Sequence, residues 1–226
     1  MTDHELERLL SLTEPGELRR LYDDAYQMKL KYIGKKVSIR GLIEISNICR
    51  KNCYYCGIRS GNRNVKRFQI SREEIIETAL WAYRHRFASL VLQSGEMMSD
   101  EFTEFIESIV REICAKTDHQ AGITLSLGEQ SPETYRRWRE AGATRYLLRI
   151  EASDPELYAK LHPADHSYEA RVACLRSLRE LDYQVGTGVM IGLPGQTVKH
   201  LVKDLRFFQE HDIDMIGMGP YIPHED

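Results

Sequence analysis

Three closely spaced cysteines carry the clearest chemical signal in this sequence. Cys49, Cys53 and Cys56 form a CxxxCxxC pattern, whereas Cys114 and Cys174 are distant and lie in segments with helical character. Three thiolates at this spacing can bind three irons of a 4Fe–4S cluster, which usually takes four cysteine ligands. The fourth iron would then keep an open coordination site, where a metal can perform chemistry.

A structural zinc site is the alternative interpretation of these cysteines. Such sites usually combine two CxxC or Cys/His half-motifs, so that four ligands surround one ion. No second half-motif accompanies the CxxxCxxC pattern. The sequence therefore favours an iron–sulfur cluster over zinc.

The composition limits the classes of protein to which the chain can belong. Its 226 residues, of which 42% are hydrophobic, suffice for most of a large α/β barrel. The net charge of −3 and the mixing of both signs do not predict nucleic-acid binding. No apolar run approaches the roughly 18 residues of a membrane span. Five cysteines, three of them clustered, do not form a disulfide pattern, so we expect a cytoplasmic protein.

Strand-like and helix-like segments alternate along most of the chain, which predicts βαβ units on a parallel sheet. We expect an N-terminal helical segment over residues 1–34 and a barrel over residues 35–226. The predicted strands are 37–45, 89–94, 122–127, 145–151, 184–192 and 214–218. The predicted helices are 4–32, broken near Pro15, then 72–85, 101–116, 132–141, 168–181 and 198–211.

The two faces of each predicted strand differ in polarity. Strands buried on both faces should be apolar throughout. Here one face carries Val37, Ile39, Ile43 and Ile45, then Ile123 and Leu125, then Tyr146, Leu148 and Ile150. The opposite face carries Arg40, Glu44, Thr124, Ser126, Arg145, Arg149 and Glu151. Because unpaired charges cannot lie in an apolar interior, we predict an α/β, TIM-barrel-like fold whose lumen binds a polar ligand, here with about six strands of a (βα)8-type barrel.

Two further loops accompany the cysteine loop, which follows the first strand where barrel active sites are built. Ser94, Gly95 and Glu96 follow the second predicted strand, and a glycine-rich run occupies residues 186–197 at the fifth. Glycines inside a strand indicate that something approaches the backbone closely. A plain loop between strand and helix is the alternative for each run taken alone.

These motifs together resemble those of the radical S-adenosylmethionine superfamily. The cysteine pattern has an aromatic residue, Tyr55, before its third cysteine; the segment 94–96 is similar to the GGE element, and 186–197 to the element near the adenine. The resemblance implies a 4Fe–4S cluster held by Cys49, Cys53 and Cys56, whose open iron chelates S-adenosylmethionine. It also implies that Tyr55, Ser94, Gly95 and Glu96 contribute to the cofactor site.

Within the superfamily, the segments 46–57, 91–96, 124–129, 145–149 and 217–224 resemble the HydE family of FeFe-hydrogenase maturases. This resemblance implies reductive cleavage of S-adenosylmethionine to a 5′-deoxyadenosyl radical, which acts on a small sulfur-containing substrate during H-cluster assembly. It further implies a flavodoxin-like or ferredoxin-like electron donor and contacts with other hydrogenase maturation proteins. Nucleic acid and membrane are not expected partners.

The same resemblance assigns roles to residues on the polar strand faces. Glu151 would hold the ribose and Arg171 the methionine carboxylate. Arg40, Thr124, Arg145 and Arg149 would line the substrate cavity. The arginines suit a ligand that bears a carboxylate, because the guanidinium fork matches its two oxygens.

Several alternatives remain open at this point. A biotin-synthase-like or methylornithine-synthase-like enzyme would share the cysteine loop and the barrel, and an iron–sulfur scaffold without catalysis is the alternative of another class. Relatives would have eight strands, so we expect this chain to be a piece of a longer one. His162 and His166 flank a turn that could approach the site, whereas His85, His200 and His211 are expected at helix ends or the surface.

Overall fold

Six parallel strands form one sheet at the centre of the fold. The computed structural model describes residues 1–226. Every strand pairs with its neighbours in the order of the chain, from β1 to β6, as in one side of a barrel. The strands are β1 (Arg40–Ser46), β2 (Ser89–Ser94), β3 (Ile123–Ser126), β4 (Arg145–Leu147), β5 (Gln184–Ile191) and β6 (Met215–Pro220).

Helices α3 to α8 connect successive strands and cover the outer face of the sheet, whereas α1 and α2 precede β1. They are α1 (Asp3–Leu10), α2 (Pro15–Tyr32), α3 (Arg72–Arg84), α4 (Asp100–Lys116), α5 (Pro132–Ala141), α6 (Pro155–Leu161), α7 (Tyr168–Glu180) and α8 (Val198–Glu210). The predicted starts of α3, α5 and α7 are confirmed, because Ser71, Ser131 and Ser167 each accept a hydrogen bond from the third residue of their helix. None of the eight helices combines the length and the apolar composition that crossing a lipid bilayer requires.

The main core lies between the sheet and the helices. The predicted apolar rows Ile43 and Ile45, Ile123 and Leu125, and Tyr146 are all buried there. Trp138 and Tyr146 stack at 6.4 Å between ring centroids, and the Tyr146 hydroxyl donates to the Gly128 carbonyl oxygen at 2.8 Å. This aromatic group satisfies its own polar atoms and thereby fixes the loop after β3.

A second, smaller set of buried contacts holds the segment after β4. Asp204 on α8 is 1% exposed, and its Oδ1 accepts hydrogen bonds from the Ser153 amide and hydroxyl at 2.8 and 2.6 Å. Its Oδ2 has no partner, and burial raises the pKa of this carboxyl group. The segment that follows β4 is thus tied to the last helix.

Two predicted strand boundaries were wrong, and one helix was not predicted. β1 begins at Arg40, and Val37 and Ile39, which precede it, are exposed. Helix α2, which also precedes β1, has no buried residue. Strand β4 ends at Leu147 rather than near residue 151, since the chain leaves regular pairing there. Helix α6 was not predicted, although Asp154 caps it and Pro155 occupies its first position.

Candidate active site

The ends of the first four strands and the segments that follow them line a pocket of about 270 Å³ at the carboxyl ends of the strands. The pocket contains ten of the thirteen predicted site residues: Cys49, Cys53, Tyr55, Cys56, Ser94, Gly95, Glu96, Arg149, Glu151 and Arg171. Arg40, Thr124 and Arg145 do not line it. The structure therefore brings together all the residues predicted for the cluster and the cofactor, but only one of those predicted for the substrate.

Backbone hydrogen bonds hold the cysteine loop at the end of β1. The Arg50 amide donates to the Glu96 carbonyl oxygen at 2.8 Å, and the Ser60 amide donates to that of Lys51 at the same distance. The Asn52 amide donates to His166 Nε2 at 2.9 Å. The loop thus contacts both the β2 loop and the segment that leads into α7.

Arg67 fastens the far side of the cysteine loop. Its guanidinium donates at 2.7 Å to each of the carbonyl oxygens of Asn47, Ile58 and Arg59, and at 3.2 Å to that of Asn62. Four accepted bonds satisfy carbonyl groups that a loop cannot pair within itself. Sequence reasoning missed this residue, because an arginine eleven positions after Cys56 carries no motif.

Cys53 is buried, and Cys49 and Cys56 are partly buried. Burial raises the pKa of Cys53 to about 11, and burial together with the neighbouring Cys49 and Glu151 raises the pKa of Cys56. Both groups therefore hold their protons at neutral pH in the metal-free protein, and binding of a metal must displace them. Burial also raises the pKa of the Tyr55 hydroxyl.

Gly95 allows the β2 loop to lie directly against the cysteine loop. A Cβ atom at Gly95 would lie 2.7 Å from Cβ of Cys49 and still closer to the Ile48 carbonyl oxygen. The next amide, that of Glu96, lies 3.3 Å from Cys49 Sγ and donates to it. Amide donors to cluster sulfurs are among the features that tune an iron–sulfur centre.

Hydrogen bonds connect a series of buried charged side chains at the border of the pocket. Glu129 accepts from Lys51 Nζ on Oε2 at 2.7 Å and from Arg171 Nε on Oε1 at 2.6 Å. Glu96 Oε2 accepts from the Glu129 amide at 2.8 Å. Although burial opposes its ionisation, the charge of Arg171 and the bonds from Lys51 and Arg171 lower the pKa of Glu129. Burial raises the pKa of Glu96.

Sequence reasoning gave no role to Lys51 or Glu129, although a signal for Glu129 was present. A Gly-Glu pair follows both β2 and β3, as Gly95-Glu96 and Gly128-Glu129. Strands that neighbour each other in a parallel sheet bring equivalent loop positions together. The repeated pair could therefore have indicated two adjacent carboxylates at this edge.

Glu151 occupies an uncommon backbone conformation beside the pocket. Its φ of +64° lies in the left-handed region, and its amide and carbonyl pair with Gly188 and Met190 of β5 at 2.9 and 3.1 Å. Its Oε1 accepts from Arg149 Nε at 2.9 Å, whereas the buried Oε2 has no partner. An unpartnered buried carboxylate oxygen that lines a pocket is an available acceptor for a ligand.

The three remaining substrate candidates lie on the inner face of the sheet, below the pocket. Thr124 and Arg145 are register partners near the start of β3 and β4, and Arg40 begins β1. Arg40 Nη1 lies 3.1 Å from Met215 Sδ. Burial, and then the charge of Arg40, lower the pKa of Arg145. Arg145 begins β4, whereas Arg149 follows its end, so the two arginines lie at different levels of the sheet.

The arrangement of the thiols fits a polynuclear cluster better than a single ion. No three His, Cys, Asp or Glu side chains converge closely enough to bind one metal ion. A zinc ion requires its ligands at about 2.0–2.3 Å around a single centre, whereas the thiolates of a 4Fe–4S cluster bind different irons. Three free cysteines around one pocket satisfy the second requirement.

The histidines lie where the sequence indicated, and His162 also contacts two tyrosine rings. His162 stacks on Tyr158 at 3.9 Å between ring centroids and meets the edge of Tyr55 at 5.5 Å. Burial lowers its pKa to about 4, so the ring is neutral at physiological pH. His85, His200 and His211 lie at helix ends, as expected. His162 and His166 therefore support the cysteine loop from behind.

Comparisons with known proteins agree with this geometry. A sequence profile described as "Radical SAM superfamily" matches residues 43–208. The chain is 48% identical over 223 residues to the [FeFe] hydrogenase maturase subunit HydE of Thermotoga maritima, covering 98% of this chain and 62% of that protein. It is 30% identical to 3-methylornithine synthase of Methanosarcina acetivorans over 230 residues, covering 100% of this chain and 63% of that protein.

Solved structures give the same result for the fold. Methylornithine synthase (PylB) matches with a TM-score of 0.90 and 28% identity, covering 99% of this chain and 65% of that one. The FeFe-hydrogenase maturase HydG from Carboxydothermus hydrogenoformans matches in fold with a TM-score of 0.86, at 21% identity, covering 99% of this chain and 54% of that one. The chain thus spans less than two thirds of the length of these relatives. From the profile match over most of its length, the chain belongs to the radical S-adenosylmethionine superfamily.

Proposed function

We propose that this chain is a HydE-type radical enzyme that binds a 4Fe–4S cluster through Cys49, Cys53 and Cys56 and S-adenosylmethionine beside it. The observation that carries the proposal is the pocket lined by these three free thiols at the carboxyl ends of the strands. Cys114 and Cys174 lie on α4 and α7, outside the pocket, and contribute no fourth ligand. The superfamily uses this pair of cofactors.

When bound, a 4Fe–4S cluster with one open iron supplies the electron that cleaves S-adenosylmethionine to methionine and a 5′-deoxyadenosyl radical. The protein's part is to hold the thiolates and exclude other ligands. The bonds from Arg67 and the contact of Gly95 with Cys49 fix the loop before any cofactor arrives. A preorganised loop lowers the entropy cost of binding.

The pocket offers a separate group for each part of the nucleotide. Glu151 Oε2, buried and unpartnered, suits the ribose hydroxyls. Glu96 Oε1 accepts no hydrogen bond, although Arg50 and Lys51 form ion pairs with it at 3.3 and 3.6 Å, and it suits the methionine ammonium. Arg171 uses Nε and Nη1 for protein bonds, which leaves Nη2 for the methionine carboxylate. Tyr55, Ser94 and Gly95 complete the walls.

The proposed substrate is a small sulfur-containing molecule that takes part in FeFe-hydrogenase H-cluster assembly. Arg149 at the pocket, and Arg40 and Arg145 below it, give the inner face positive charges that suit a carboxylate, and Thr124 adds a hydroxyl. The 48% identity to HydE supports this choice of substrate class. A flavodoxin-like or ferredoxin-like protein would supply the electron, other hydrogenase maturation proteins would receive the product, and the cytoplasm is the proposed location.

A methylornithine-synthase-like activity is the second candidate. It is favoured by the 30% identity to 3-methylornithine synthase and by the TM-score of 0.90 to PylB. A biotin-synthase-like activity is less well supported, because such an enzyme needs further cysteines on later strands. The HydE-type activity and the methylornithine-synthase-like activity differ in substrate and share the cofactor chemistry.

Anaerobic reconstitution with iron and sulfide tests the proposal. We expect about four irons per chain, a 4Fe–4S spectrum, and 5′-deoxyadenosine after addition of dithionite and S-adenosylmethionine. Cys53→Ala should lose the cluster, whereas Cys174→Ala, a matched cysteine outside the pocket, should keep it. A cluster that forms and never yields 5′-deoxyadenosine would identify the chain as a scaffold and refute the catalytic proposal.

A further inference from the structure

We propose that Lys51 is a positioning residue that links the cysteine loop to the site of the methionine carboxylate. Lys51 lies between two of the cluster cysteines in sequence, lines the same pocket, and donates through Nζ to Glu129 Oε2 at 2.7 Å. Through Glu129 it acts on Arg171. This inference rests on the proposed function, because it assigns the Arg171 ligand as the carboxylate of S-adenosylmethionine.

The link consists of buried, alternating charges. Lys51 and Arg171 are 6% and 7% exposed, and a buried lysine is rare unless it is paired. Each oxygen of Glu129 serves one of these cations, Oε2 serving Lys51 at 2.7 Å and Oε1 serving Arg171 at 2.6 Å. Both oxygens of the Glu129 carboxylate are therefore occupied. Arg171 cannot shift without breaking its bond to Oε1 or displacing Lys51 from Oε2.

Lys51 also separates two carboxylates. Its Nζ lies 3.6 Å from Glu96 Oε1, and the Glu96 carboxylate is itself bonded to the Glu129 amide. Arg50 Nε lies 3.3 Å from the same Glu96 oxygen, but Arg50 is half exposed and water screens its charge. Lys51 is thus the buried counter-ion that the two carboxylates share.

Removing the Lys51 charge leaves Arg171 to balance the charges of both Glu96 and Glu129. Glu96 and Glu129 would then carry two negative charges side by side with Arg171 as the single buried cation near them. Arg171 would be drawn further into this pair, and its Nη2 would be less available to a carboxylate in the pocket. Breaking a buried ion pair leaves an uncompensated charge, which is strongly unfavourable.

This role predicts a selective loss of affinity rather than a general one. S-adenosylmethionine carries the carboxylate that Arg171 is proposed to bind and the ammonium group assigned to Glu96, whereas 5′-methylthioadenosine carries the same nucleoside without either group. In Lys51→Met, we expect affinity for S-adenosylmethionine to fall about tenfold or more. Affinity for 5′-methylthioadenosine should stay within about twofold, since Glu151 and the walls of the nucleoside site do not change.

The experiment titrates both ligands into anaerobically reconstituted, oxidised protein by calorimetry, with iron content and thermal unfolding measured on the same samples. Lys51→Arg keeps the charge and should recover most of the affinity for S-adenosylmethionine. Lys203→Met is the matched control, because Lys203 also pairs with a carboxylate, Asp154 at 2.6 Å, but on the outer helix α8. It should bind both ligands like the wild type.

Equal weakening of both ligands in Lys51→Met, or no weakening of either, would overturn the inference. If this variant does not load a cluster, the same two titrations are made on Lys51→Gln, whose amide can donate to Glu129 without a charge. The same results would then support or overturn the inference. Failure of the wild type to bind a cluster or S-adenosylmethionine would instead refute the proposed function. The two failures are therefore distinguishable.

Discussion

Gly95 is the position at which a single methyl group should damage the candidate site most directly. In Gly95→Ala, the new Cβ would lie 2.7 Å from Cβ of Cys49, about 0.7 Å short of the 3.4 Å at which ordinary contact begins. It would lie even closer to the Ile48 carbonyl oxygen, a backbone atom that cannot rotate away. The β2 loop and the cysteine loop must therefore move apart.

The size of the effect follows from the contacts that this movement breaks. Overpacking of a tight site costs about 1–3 kcal/mol. The bonds from the Glu96 amide to Cys49 Sγ and from the Arg50 amide to the Glu96 carbonyl oxygen would weaken, at roughly 0.5–1.5 kcal/mol each. We expect a total near 2–4 kcal/mol, which lowers the melting temperature of a chain of this size by about 4–16 °C.

Thermal unfolding of the metal-free protein measures this loss, and iron content after reconstitution measures its effect on the cluster. Gly219→Ala on β6 is the matched control, because no atom lies within 4 Å of its added Cβ. We expect Gly219→Ala to unfold like the wild type and to load iron normally. A Gly95→Ala protein with unchanged melting temperature and full iron content would show that the two loops are not in the contact described here.

Three further predictions concern the cysteines, the nucleotide site and the core. Cys114→Ala should retain its cluster absorbance, and a loss as complete as that in Cys53→Ala would refute the three-cysteine assignment. Glu151→Gln should weaken S-adenosylmethionine binding about tenfold or more, as measured by calorimetry, and equal affinity would exclude the ribose role. Because burial raises the pKa of Asp204 above its ordinary value of 3.8, the unfolded chain releases this proton at lower pH than the folded protein does. The contribution of Asp204 to the free energy of unfolding therefore falls as the pH rises above about 4. Denaturant titrations between about pH 4 and 7 should show that Asp204→Asn becomes more stable relative to the wild type as the pH rises. A difference in stability that does not change with pH would contradict the raised pKa.

Much of the fold could be predicted from the periodicity of apolar residues. The part of the candidate site that lies in the loops after the strands could be predicted from the order of strands and helices. The alternation in β3, with Ile123 and Leu125 opposite Thr124, identified the two faces because one face packs against helices. The cysteines and Gly95-Glu96 could be placed at one edge, because parallel strands end there together. These inferences needed only the order of elements along the chain.

Contacts between distant side chains could not be read in this way. The bond from Arg67 to the Ile58 carbonyl and the bridge of Glu129 between Lys51 and Arg171 depend on how loops fold over one another. The length of β4 also escaped prediction. Its alternation continues through Glu151 in the sequence, but regular pairing with β5 ends at Leu147 and only an isolated bridge between Glu151 and Val189 follows, which the side-chain pattern does not report.

The left-handed backbone at Glu151 has a consequence for how this protein could evolve. A non-glycine residue at φ +64° carries strain of the order of 1 kcal/mol, which glycine would relieve. Glu151→Gly should therefore offset part or all of the stability lost with its ion pair to Arg149, while removing the carboxylate from the pocket. Paired melting curves and S-adenosylmethionine titrations would reveal this opposition, and a large fall in melting temperature would contradict it. Selection for thermal resistance alone would then do little to retain this carboxylate, so that a requirement for the ligand is what keeps glutamate at this position.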